Sequence, residues 1–241
     1  MRYFGFFSKK YKKPVLLLMG APGVGKGTYG KRLSEDYSMP IFSTGEYLRG
    51  LLKGNDKSEL VQKVRELVKA GKLVDDDTIQ EIIKKRLFEE EPAKAKGIIL
   101  DGYPRTINQA NLLSKIAKVK AAMNFFLRED ILIEKLAGRR ECEKCRIPYN
   151  VSTIKRDGYD MDPLLPTKNP ELCDKDQGKL IQREDDTEKV IADRLKTYKE
   201  KTKPLEDYYK KKKVLFEFEP KRGVKDYPTI KKMMDDFLAT H

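Results

Sequence analysis

The feature that most constrains the fold is an apolar run that leads directly into a glycine-rich loop. Residues 15–19 (Val-Leu-Leu-Leu-Met) are followed by Gly-Ala-Pro-Gly-Val-Gly-Lys-Gly-Thr at residues 20–28. A buried strand, a glycine turn and a helix start would gather backbone N–H groups and the positive end of the helix around one point, which Lys26 can also reach. The segment therefore predicts a phosphate-binding loop, and it makes a nucleotide the first candidate ligand.

The loop departs from the general pattern directly after its lysine. The pattern usually continues with a hydroxyl residue that helps to hold Mg²⁺, whereas this chain has Gly27 and then Thr28. A second motif, Asp-Gly-Tyr-Pro-Arg at residues 101–105, follows the apolar run at 97–100. At the end of a strand, Asp101 could hold Mg²⁺ through water while Arg105 binds a phosphate with two N–H groups. We expect the two motifs to face each other across one edge of a sheet.

Composition favours a soluble enzyme with one core and inserted pieces. The chain has 241 residues, 39% hydrophobic and 37% charged, and we find no apolar run near the ~20 residues of a transmembrane helix and no secretory signal. The net charge of +13 would suit nucleic acid. However, no base-stacking motif accompanies it, and a lysine run such as 210–213 is typical of a solvated helix end. Polyphosphate substrates suit the charge equally well, and we expect no nucleic-acid partner.

Apolar strands and amphipathic helices alternate along the chain, which predicts a parallel sheet covered on both faces. Two stretches interrupt this alternation, and we interpret both as insertions over the ligand-binding edge of the sheet: residues 44–74, which read as successive helices, and 139–183, which are rich in turn residues. Strands are predicted at 15–19, 40–42, 97–100, 121–127 and 214–218, and helices at 26–36, 45–53, 58–70, 78–89, 106–117, 129–137, 185–209 and 227–238.

The second insertion contains every cysteine of the chain in a pattern typical of a metal site. Two similar pairs are present, Cys142-x-x-Cys145 and Cys173-x-x-Asp176, and 27 residues separate Cys145 from Cys173. Three thiolates and one carboxylate would make a closed tetrahedral Zn²⁺ site that braces a hairpin too small for its own core. An accidental spacing and a redox pair are the alternatives. We weigh the redox pair lower because no strand is predicted before it and no helix clearly after it.

Six motifs, in this order, resemble the adenylate kinases that carry a long lid. They are GAPGVGKGT at 20–28, STGEYLR at 43–49, GKLV at 71–74, DGYPRTINQ at 101–109, GRR at 138–140 and QREDD at 182–186, and the similarity runs from about residue 14 to the C-terminus. The resemblance implies an α/β P-loop fold of three layers with a five-stranded parallel sheet. It divides the chain into an N-terminal extension (1–13), a core (14–43, 75–138 and 184–241), a monophosphate-binding insertion (44–74) and a lid with the metal site (139–183).

The resemblance also implies a reaction: reversible transfer of the terminal phosphoryl group from a magnesium-bound nucleoside triphosphate to AMP. Thr44 and Gln109 match the residues that recognise the adenine of AMP, and UMP and CMP kinases carry others there. The implied catalytic residues are Lys26, Asp101, Arg105, Arg139, Arg183 and Arg194. The implied triphosphate site is Gly23, Val24, Gly25, Lys26, Gly27, Thr28, Arg139, Tyr149 and Arg222. The implied AMP site is Thr44, Arg49, Lys72, Leu73, Val74, Gly102, Tyr103, Pro104, Arg105, Gln109, Arg183 and Arg194.

Several features leave alternatives open. Lys135 stands where many family members stack an arginine on the donor base, and residues 218–223 replace the usual turn that touches this base, so GTP is a candidate donor beside ATP. We expect Asp185 and Asp186 to anchor the lid by pairing with the catalytic arginines. A zinc-knuckle nucleic-acid-binding protein and a P-loop NTPase switch without an acceptor are the competing classes.

The N-terminal extension leaves the compartment open. Its lysines and its aromatic residues, which could share one helical face up to Tyr11, would suit a targeting segment, a membrane-surface anchor or an ordinary basic tail. We expect a monomer in the cytoplasm or the mitochondrion.

Overall fold

The long apolar run forms the central strand of a parallel sheet. The computed structural model describes residues 10–51, 59–69, 72–89 and 94–240. Strand β1 (Tyr11–Gly20) pairs in parallel with β3 (Ile98–Asp101) on one side and with β4 (Ala117–Phe125) on the other. Strand β2 (Ile41–Ser43) lies beyond β3, and β10 (Leu215–Phe218) lies beyond β4. The order β10-β4-β1-β3-β2 brings the carboxyl ends of all five strands to one edge.

Successive residues of β1 point to opposite faces of this sheet, and each face has its own apolar cluster. Leu17 and Met19 belong to one cluster, whereas Leu16 and Leu18 belong to the other. Both faces are buried, so this strand is apolar at every position from 15 to 19 instead of at alternate positions. The three-layer α/β fold predicted from the sequence is confirmed.

Nine α-helices lie within the described ranges, and they cover both faces of the sheet. The first face is covered mainly by α2 (Thr44–Leu51), α3 (Glu59–Lys69), α4 (Asp76–Phe88), α5 (Ile107–Ile116) and α8 (Leu205–Lys211). The second face is covered by α1 (Lys26–Tyr37), α6 (Glu129–Ala137), α7 (Glu188–Thr197) and α9 (Tyr227–Thr240). In the described part of the chain, none of these helices has the length and hydrophobicity to cross a membrane.

The single helix predicted at 185–209 is wrong. The structure has α7, then a π-helical turn (Tyr198–Thr202), then α8. Pro204 stands at the N-cap of α8, and a proline, which has no backbone N–H to donate, favours the start of a helix over its interior. Helix α7 begins only at Glu188, so Asp185 and Asp186 lie before it, and their side chains are left to contact other elements.

The predicted helical face of the N-terminal extension is wrong for its last aromatic residue. Tyr11 is the first residue of β1 and is buried, with its ring edge-on to Phe88. The other aromatic residues of that prediction lie outside the described residues.

Residues 139–183, the predicted lid, fold as two small antiparallel sheets. Strands β5 (Arg139–Cys142), β6 (Pro148–Asn150) and β9 (Leu180–Ile181) form one, with β5 in the middle, and we call it the lid sheet. Strands β7 (Ile154–Arg156) and β8 (Tyr159–Met161) form a separate two-stranded hairpin, here called the lid hairpin. The domain boundaries given above stay a prediction.

Candidate active site

The glycine-rich loop turns tightly between β1 and α1, as the sequence predicts. Gly25, the N-cap of α1, has a φ of 110°, a conformation that strains any residue with a side chain. At Gly20, a Cβ atom would lie 2.1 Å from the carbonyl oxygen of Phe125 at the end of β4. The loop can therefore approach the neighbouring strand only because this position is glycine.

Lys26 is folded over its own loop, where it is deeply buried. Its ammonium donates hydrogen bonds to the carbonyl oxygens of Gly20 (2.7 Å) and Ala21 (2.9 Å). Burial, the largest effect, and the charges of nearby arginines, Arg105 among them, lower the pKa of Lys26 to about 8, while Asp101 acts in the opposite direction. The loop lysine and the carboxylate at the end of β3 thus lie within electrostatic reach of each other, as expected for motifs on one sheet edge.

The motif after β3 holds its arginine in place through the backbone. The Arg105 Nε–H donates to the carbonyl oxygen of Gly102 at 2.8 Å, and the peptide bond between Tyr103 and Pro104 is cis. Burial lowers the pKa of Arg105, against the opposing effects of Asp101 and Asp185. Tyr103 is itself buried and packs in the core.

A smaller pocket lies beside this motif, where the resemblance places AMP. Thr44 donates from its hydroxyl to the carbonyl oxygen of Gly102 at 2.8 Å. The Gln109 side chain accepts from the backbone N–H of Arg105 and donates to Asp76, both at 2.7 Å, which fixes its amide orientation. The pocket contains these predicted residues: Thr44, Arg49, Lys72, Leu73, Val74, Gly102, Arg105, Gln109 and Arg194.

Arg49 brings a buried positive charge to the same pocket. Burial, the largest effect, and the nearby charge of Arg183 lower the pKa of Arg49 to about 10, while Asp185 acts in the opposite direction. A buried guanidinium with a like charge beside it favours an anionic ligand. The pocket therefore suits a monophosphate group.

Two arginines, one at the start of the lid and one on α7, are held by buried carboxylates. The Arg139 guanidinium makes two hydrogen bonds to Asp186, whose side chain is fully buried. Arg194 lies 3.1 Å from both Asp185 and Asp186. These contacts agree with the expected anchoring by the two aspartates.

Arg183 has a different partner, which the sequence analysis missed. Its Nε–H donates to Glu141 at 2.5 Å, and the buried Glu141 also pairs with Arg146. Nothing in the local sequence marks Glu141 as part of the site, because its partner Arg183 lies 42 positions away, just after β9. The expectation that the two aspartates anchor all three arginines thus fails for Arg183.

One cavity joins these groups and extends past the glycine-rich loop. Its lining includes Lys26, Arg49, Arg105, Arg139, Arg183, Arg194 and Asp101, and also Gly23, Gly25, Gly27, Thr28, Gly102, Pro104, Leu73 and Tyr149. Val24 is buried in the core, and the exposed Arg222 is outside this lining, whereas its neighbours Gly223 and Val224 belong to it. The predicted residues Val24 and Arg222 are thus not brought to the cavity.

The end of the cavity beyond the glycine-rich loop is lined by Lys135, Met161 and Gly223. The Lys135 ammonium lies 3.6 Å from the Met161 sulfur, and burial lowers the pKa of Lys135. Met161 belongs to the lid hairpin, and its side chain approaches Gly223. Met161 was not predicted near the site, because it belongs to no recognisable motif, whereas Gly223 is the last residue of the segment 218–223 that was expected near the donor base.

The three cysteines and Asp176 come together in the lid. Their candidate ligand atoms all lie within 4.8 Å of one another, with 3.6 Å between the sulfurs of Cys145 and Cys173. Two thiolates bound to one tetrahedral Zn²⁺ lie about 3.8 Å apart, so this spacing fits the ion. Gly178 lies against the cluster, where a Cβ would come within 2.6 Å of the Cys142 sulfur. The sequence predicted no strand before the Cys142/Cys145 pair, but strand β5 leads into it and ends at Cys142.

Comparison with known protein families identifies the class of protein to which this site belongs. A family model described as adenylate kinase matches residues 18–214, from near the end of β1 to the residue before β10. The chain belongs to the adenylate kinase family. It is therefore a phosphotransferase that acts as a nucleoside-monophosphate kinase, with AMP and a nucleoside triphosphate as its substrates.

Curated adenylate kinases are similar to this chain over most of their own length. "Adenylate kinase 1, chloroplastic" of Arabidopsis thaliana is 41% identical over 214 residues, which cover 86% of this chain and 72% of the relative. An adenylate kinase of Thermotoga neapolitana is 42% identical over 205 residues (83% and 87%), and one of Fervidobacterium nodosum is 39% identical over 221 residues (89% and 94%).

Proposed function

We propose that this member of the adenylate kinase family transfers the terminal phosphoryl group of a magnesium-bound triphosphate reversibly to AMP, with ATP or GTP as the donor. The observation that carries the proposal is the convergence of Lys26, Arg105, Arg139 and Arg194 on one cavity, where the three arginines each lower the pKa of the buried Lys26. These cations come from the loop, the motif after β3, the start of the lid and α7. They meet in one cavity between a monophosphate-sized pocket and a second, open end.

Such an arrangement supports phosphoryl transfer by charge stabilisation. In this reaction the transition state is loose, and its negative charge lies on the three equatorial oxygens, so positioned cations contribute more than a general base. Asp186 holds Arg139 and Arg194 against each other, and Glu141 holds Arg183, which keeps like charges together before substrate arrives. The transferring group would complete the charge balance of the site.

The acceptor proposal depends on the small pocket. Thr44 and Gln109 would contact the adenine, and Arg49, Arg105, Arg183 and Arg194 would bind the phosphate. Because Gln109 is held by Asp76 and Arg105, its amide meets the base in one orientation, which would favour one pattern of donors and acceptors. The backbone of residues 72–74 lines the same pocket.

The residues around the loop fit a magnesium-bound triphosphate. Asp101 and Thr28 offer oxygen atoms, which Mg²⁺ prefers, and a Cβ at Gly27 would meet no atom within 4 Å, so the loop leaves open space beside them. We propose that these two side chains hold the ion through water. When bound, Mg²⁺ would neutralise charge on the phosphate oxygens.

A specific observation keeps GTP as a second candidate donor. Lys135 places up to three N–H donors at the far end of the cavity, close to the Met161 sulfur. The corresponding edge of guanine offers two acceptors, N7 and O6, whereas that edge of adenine offers one acceptor and one donor. A strict preference for GTP is therefore the alternative to ATP.

The deciding experiment is an assay of diphosphate formation with saturating AMP, Mg²⁺ and either ATP or GTP. AMP, GMP, CMP and UMP are compared singly as acceptors. Turnover that requires AMP would support the proposal, and the better donor would identify the base. Turnover without any acceptor, or none with AMP, would overturn the proposal in favour of an NTPase switch. Binding of nucleic acid that persists in high salt would instead favour a zinc-knuckle nucleic-acid-binding protein.

One chain supplies all the residues proposed for both substrates, so we propose that the enzyme works as a monomer. Analytical ultracentrifugation with and without nucleotides tests this. The compartment, cytoplasm or mitochondrion, stays a prediction, which microscopy of the tagged full-length chain in its own cells would test.

We propose Zn²⁺ as the metal of Cys142, Cys145, Cys173 and Asp176, with a structural role. Replacing Cys145 by serine is expected to remove bound metal and to lower the melting temperature, because the lid sheet has little apolar core of its own. Plasma mass spectrometry measures the bound metal, and calorimetry measures the melting temperature. Ser114→Ala, which removes an exposed hydroxyl outside the lid, is the control. Full retention of metal and melting temperature in C145S would contradict the assignment.

The lowered pKa of Lys26 predicts the pH dependence of donor use. A triphosphate binds the protonated ammonium, and the free enzyme loses this proton as the pH rises through about 8. We therefore expect kcat/KM for the donor to fall above about pH 8, by up to about tenfold per pH unit, since this ratio reports the free enzyme. The decline in kcat should begin at higher pH, because bound phosphate stabilises the ammonium. A kcat/KM profile that stays flat to pH 9.5 would contradict this.

A further inference from the structure

The two sheets of the lid belong to two different apolar clusters. Cys142 and Tyr149 of the lid sheet are buried together with Cys173 and other lid residues, so the described members of this cluster all come from residues 139–183. In the lid hairpin, Ile154, Tyr159 and Met161 are buried against the fully buried Ile131 of α6. The lid sheet can therefore move as a unit without exposing its cluster, whereas the hairpin cannot leave the core without exposing its own.

Polar contacts join the hairpin to the segment after β10. The Tyr159 hydroxyl donates to Glu219 at 2.6 Å, and the backbone N–H of Asp160 donates to the carbonyl oxygen of Lys221 at 2.9 Å. Lys225 forms an ion pair of 2.5 Å with Asp162 just after β8. The hairpin thus contacts the segment whose Gly223 and Val224 line the far end of the cavity.

A second set of contacts joins the hairpin to α6. Arg128 pairs with Asp157 at 2.9 Å, and Arg156 pairs with Glu134 at 2.7 Å. These pairs are about half exposed and contribute little singly. Together with the buried cluster they fix the orientation of the hairpin on the helix that carries Lys135.

The chain enters the hairpin through residues that are also bonded to α6. Asn150 donates from its side chain to the carbonyl oxygen of Lys135 at 2.8 Å, and the Ser152 hydroxyl donates to that of Glu134 at 2.9 Å. Asn150 and Leu164 exchange two backbone hydrogen bonds, of 2.9 and 2.8 Å. This pair closes the base of residues 151–163, which places the boundary between a fixed and a movable part at Asn150 and Leu164.

We propose that the lid hairpin stays docked on the core when the lid sheet moves, and that it forms a fixed wall of the donor-base subsite. Tyr159 and Glu219 are positioning residues in this proposal: they act through Met161, which lines the cavity beside Gly223. The assignment of this cavity end to the donor base rests on the proposed function. The docking itself rests on the contacts described above.

Hydrogen exchange measured by mass spectrometry tests the docking on the full-length enzyme, free and with saturating Mg-ADP. Peptides that cover 154–161 are expected to exchange slowly in both states, with less than about a twofold change. Peptides of the lid sheet are expected to gain protection with Mg-ADP. If hairpin peptides exchange fast in the free enzyme and gain protection in parallel with the lid sheet, the hairpin moves with it and the proposal is overturned.

Tyr159→Phe tests the positioning role, since it removes the hydroxyl and keeps the buried ring. The loss of one hydrogen bond is expected to raise the donor KM about three- to tenfold, with the KM for AMP unchanged. Tyr37→Phe is the matched control, because it removes a similar bond of 2.5 Å to Asp235 on the surface. Equal changes in both KM values, or none, would overturn the positioning role. A wild-type enzyme without AMP-dependent turnover would overturn the proposed function, while the exchange experiment would still decide the docking.

Discussion

Replacing Lys26 by methionine is expected to lower kcat by at least about 10²- to 10³-fold, the usual loss when one preorganised electrostatic donor is removed. Methionine keeps the apolar stem of the side chain and removes its charge. The hydrogen bonds to the carbonyl oxygens of Gly20 and Ala21 are also lost, so the loop loses a contact that closes it. Steady-state kinetics at saturating AMP and donor measure kcat, and circular dichroism checks the fold.

Lys31→Met is the matched control for this experiment. Lys31 lies on the same helix α1, it is absent from the lining of the cavity, and the substitution makes the same change in charge and size. We expect its kcat to stay within about twofold of the wild type, as for surface changes in general. A similar loss in both variants would assign the effect to the helix or to net charge, and it would contradict the specific role of Lys26.

Asp186→Ala is expected to destabilise the protein by about 3 kcal/mol, the lower part of the range for breaking a buried ion pair from one side. The Asp186 side chain is fully buried, while Arg139 and Arg194 are 14% and 15% exposed, so Arg139 would lose its carboxylate partner and Arg194 one of its two, without gaining water. Because misplaced catalytic groups can cost about 10²-fold, we expect kcat to fall by a similar factor. Urea denaturation and steady-state kinetics measure the two effects.

The control for this variant is Asp235→Ala. Asp235 pairs with Lys231 at 2.8 Å on α9, where both side chains are more than 40% exposed. Asp235 also accepts a hydrogen bond from the Tyr37 hydroxyl at the surface. The loss of one exposed ion pair and one surface hydrogen bond is expected to cost about 1 to 1.5 kcal/mol together, and kcat should not change. If Asp186→Ala proves as mild as this control, the two arginines are held by other contacts, and their anchoring by Asp186 would have to be abandoned.

Sequence alone predicts those parts of this molecule whose structure depends on interactions between residues close together in the chain. The glycine-rich loop depends on the backbone of residues 20–28 and on a helix that begins beside it. The cysteine pairs depend on two short turns whose spacing brings the ligands together. Helix α6 was predicted with its observed bounds, Glu129–Ala137, because it has a clear apolar face and acidic residues in its first turn.

The parts that sequence missed depend on contacts between distant residues. Glu141 lies 42 positions from its partner Arg183, and Tyr159 lies 60 positions from Glu219. Neither pair leaves a periodic signal, since a carboxylate on a small strand looks the same whether its partner is water or a catalytic arginine. The break between α7 and α8 was missed for a related reason: the apolar pattern continues through the π-helical turn, and only the proline marks the change.

The central place of β1 also decides when the newly made chain can bury its most apolar segment. Val15, Leu16 and Leu17 have no exposed surface in the folded protein, yet their partners β3 and β4 come much later, at residues 98–101 and 117–125. Parallel pairing cannot form between near neighbours, so these side chains stay unprotected through the synthesis of about half the chain. We therefore expect nascent chains that stop before β4 to aggregate more readily than the complete chain, with the strand that leads into the phosphate loop as their exposed apolar segment.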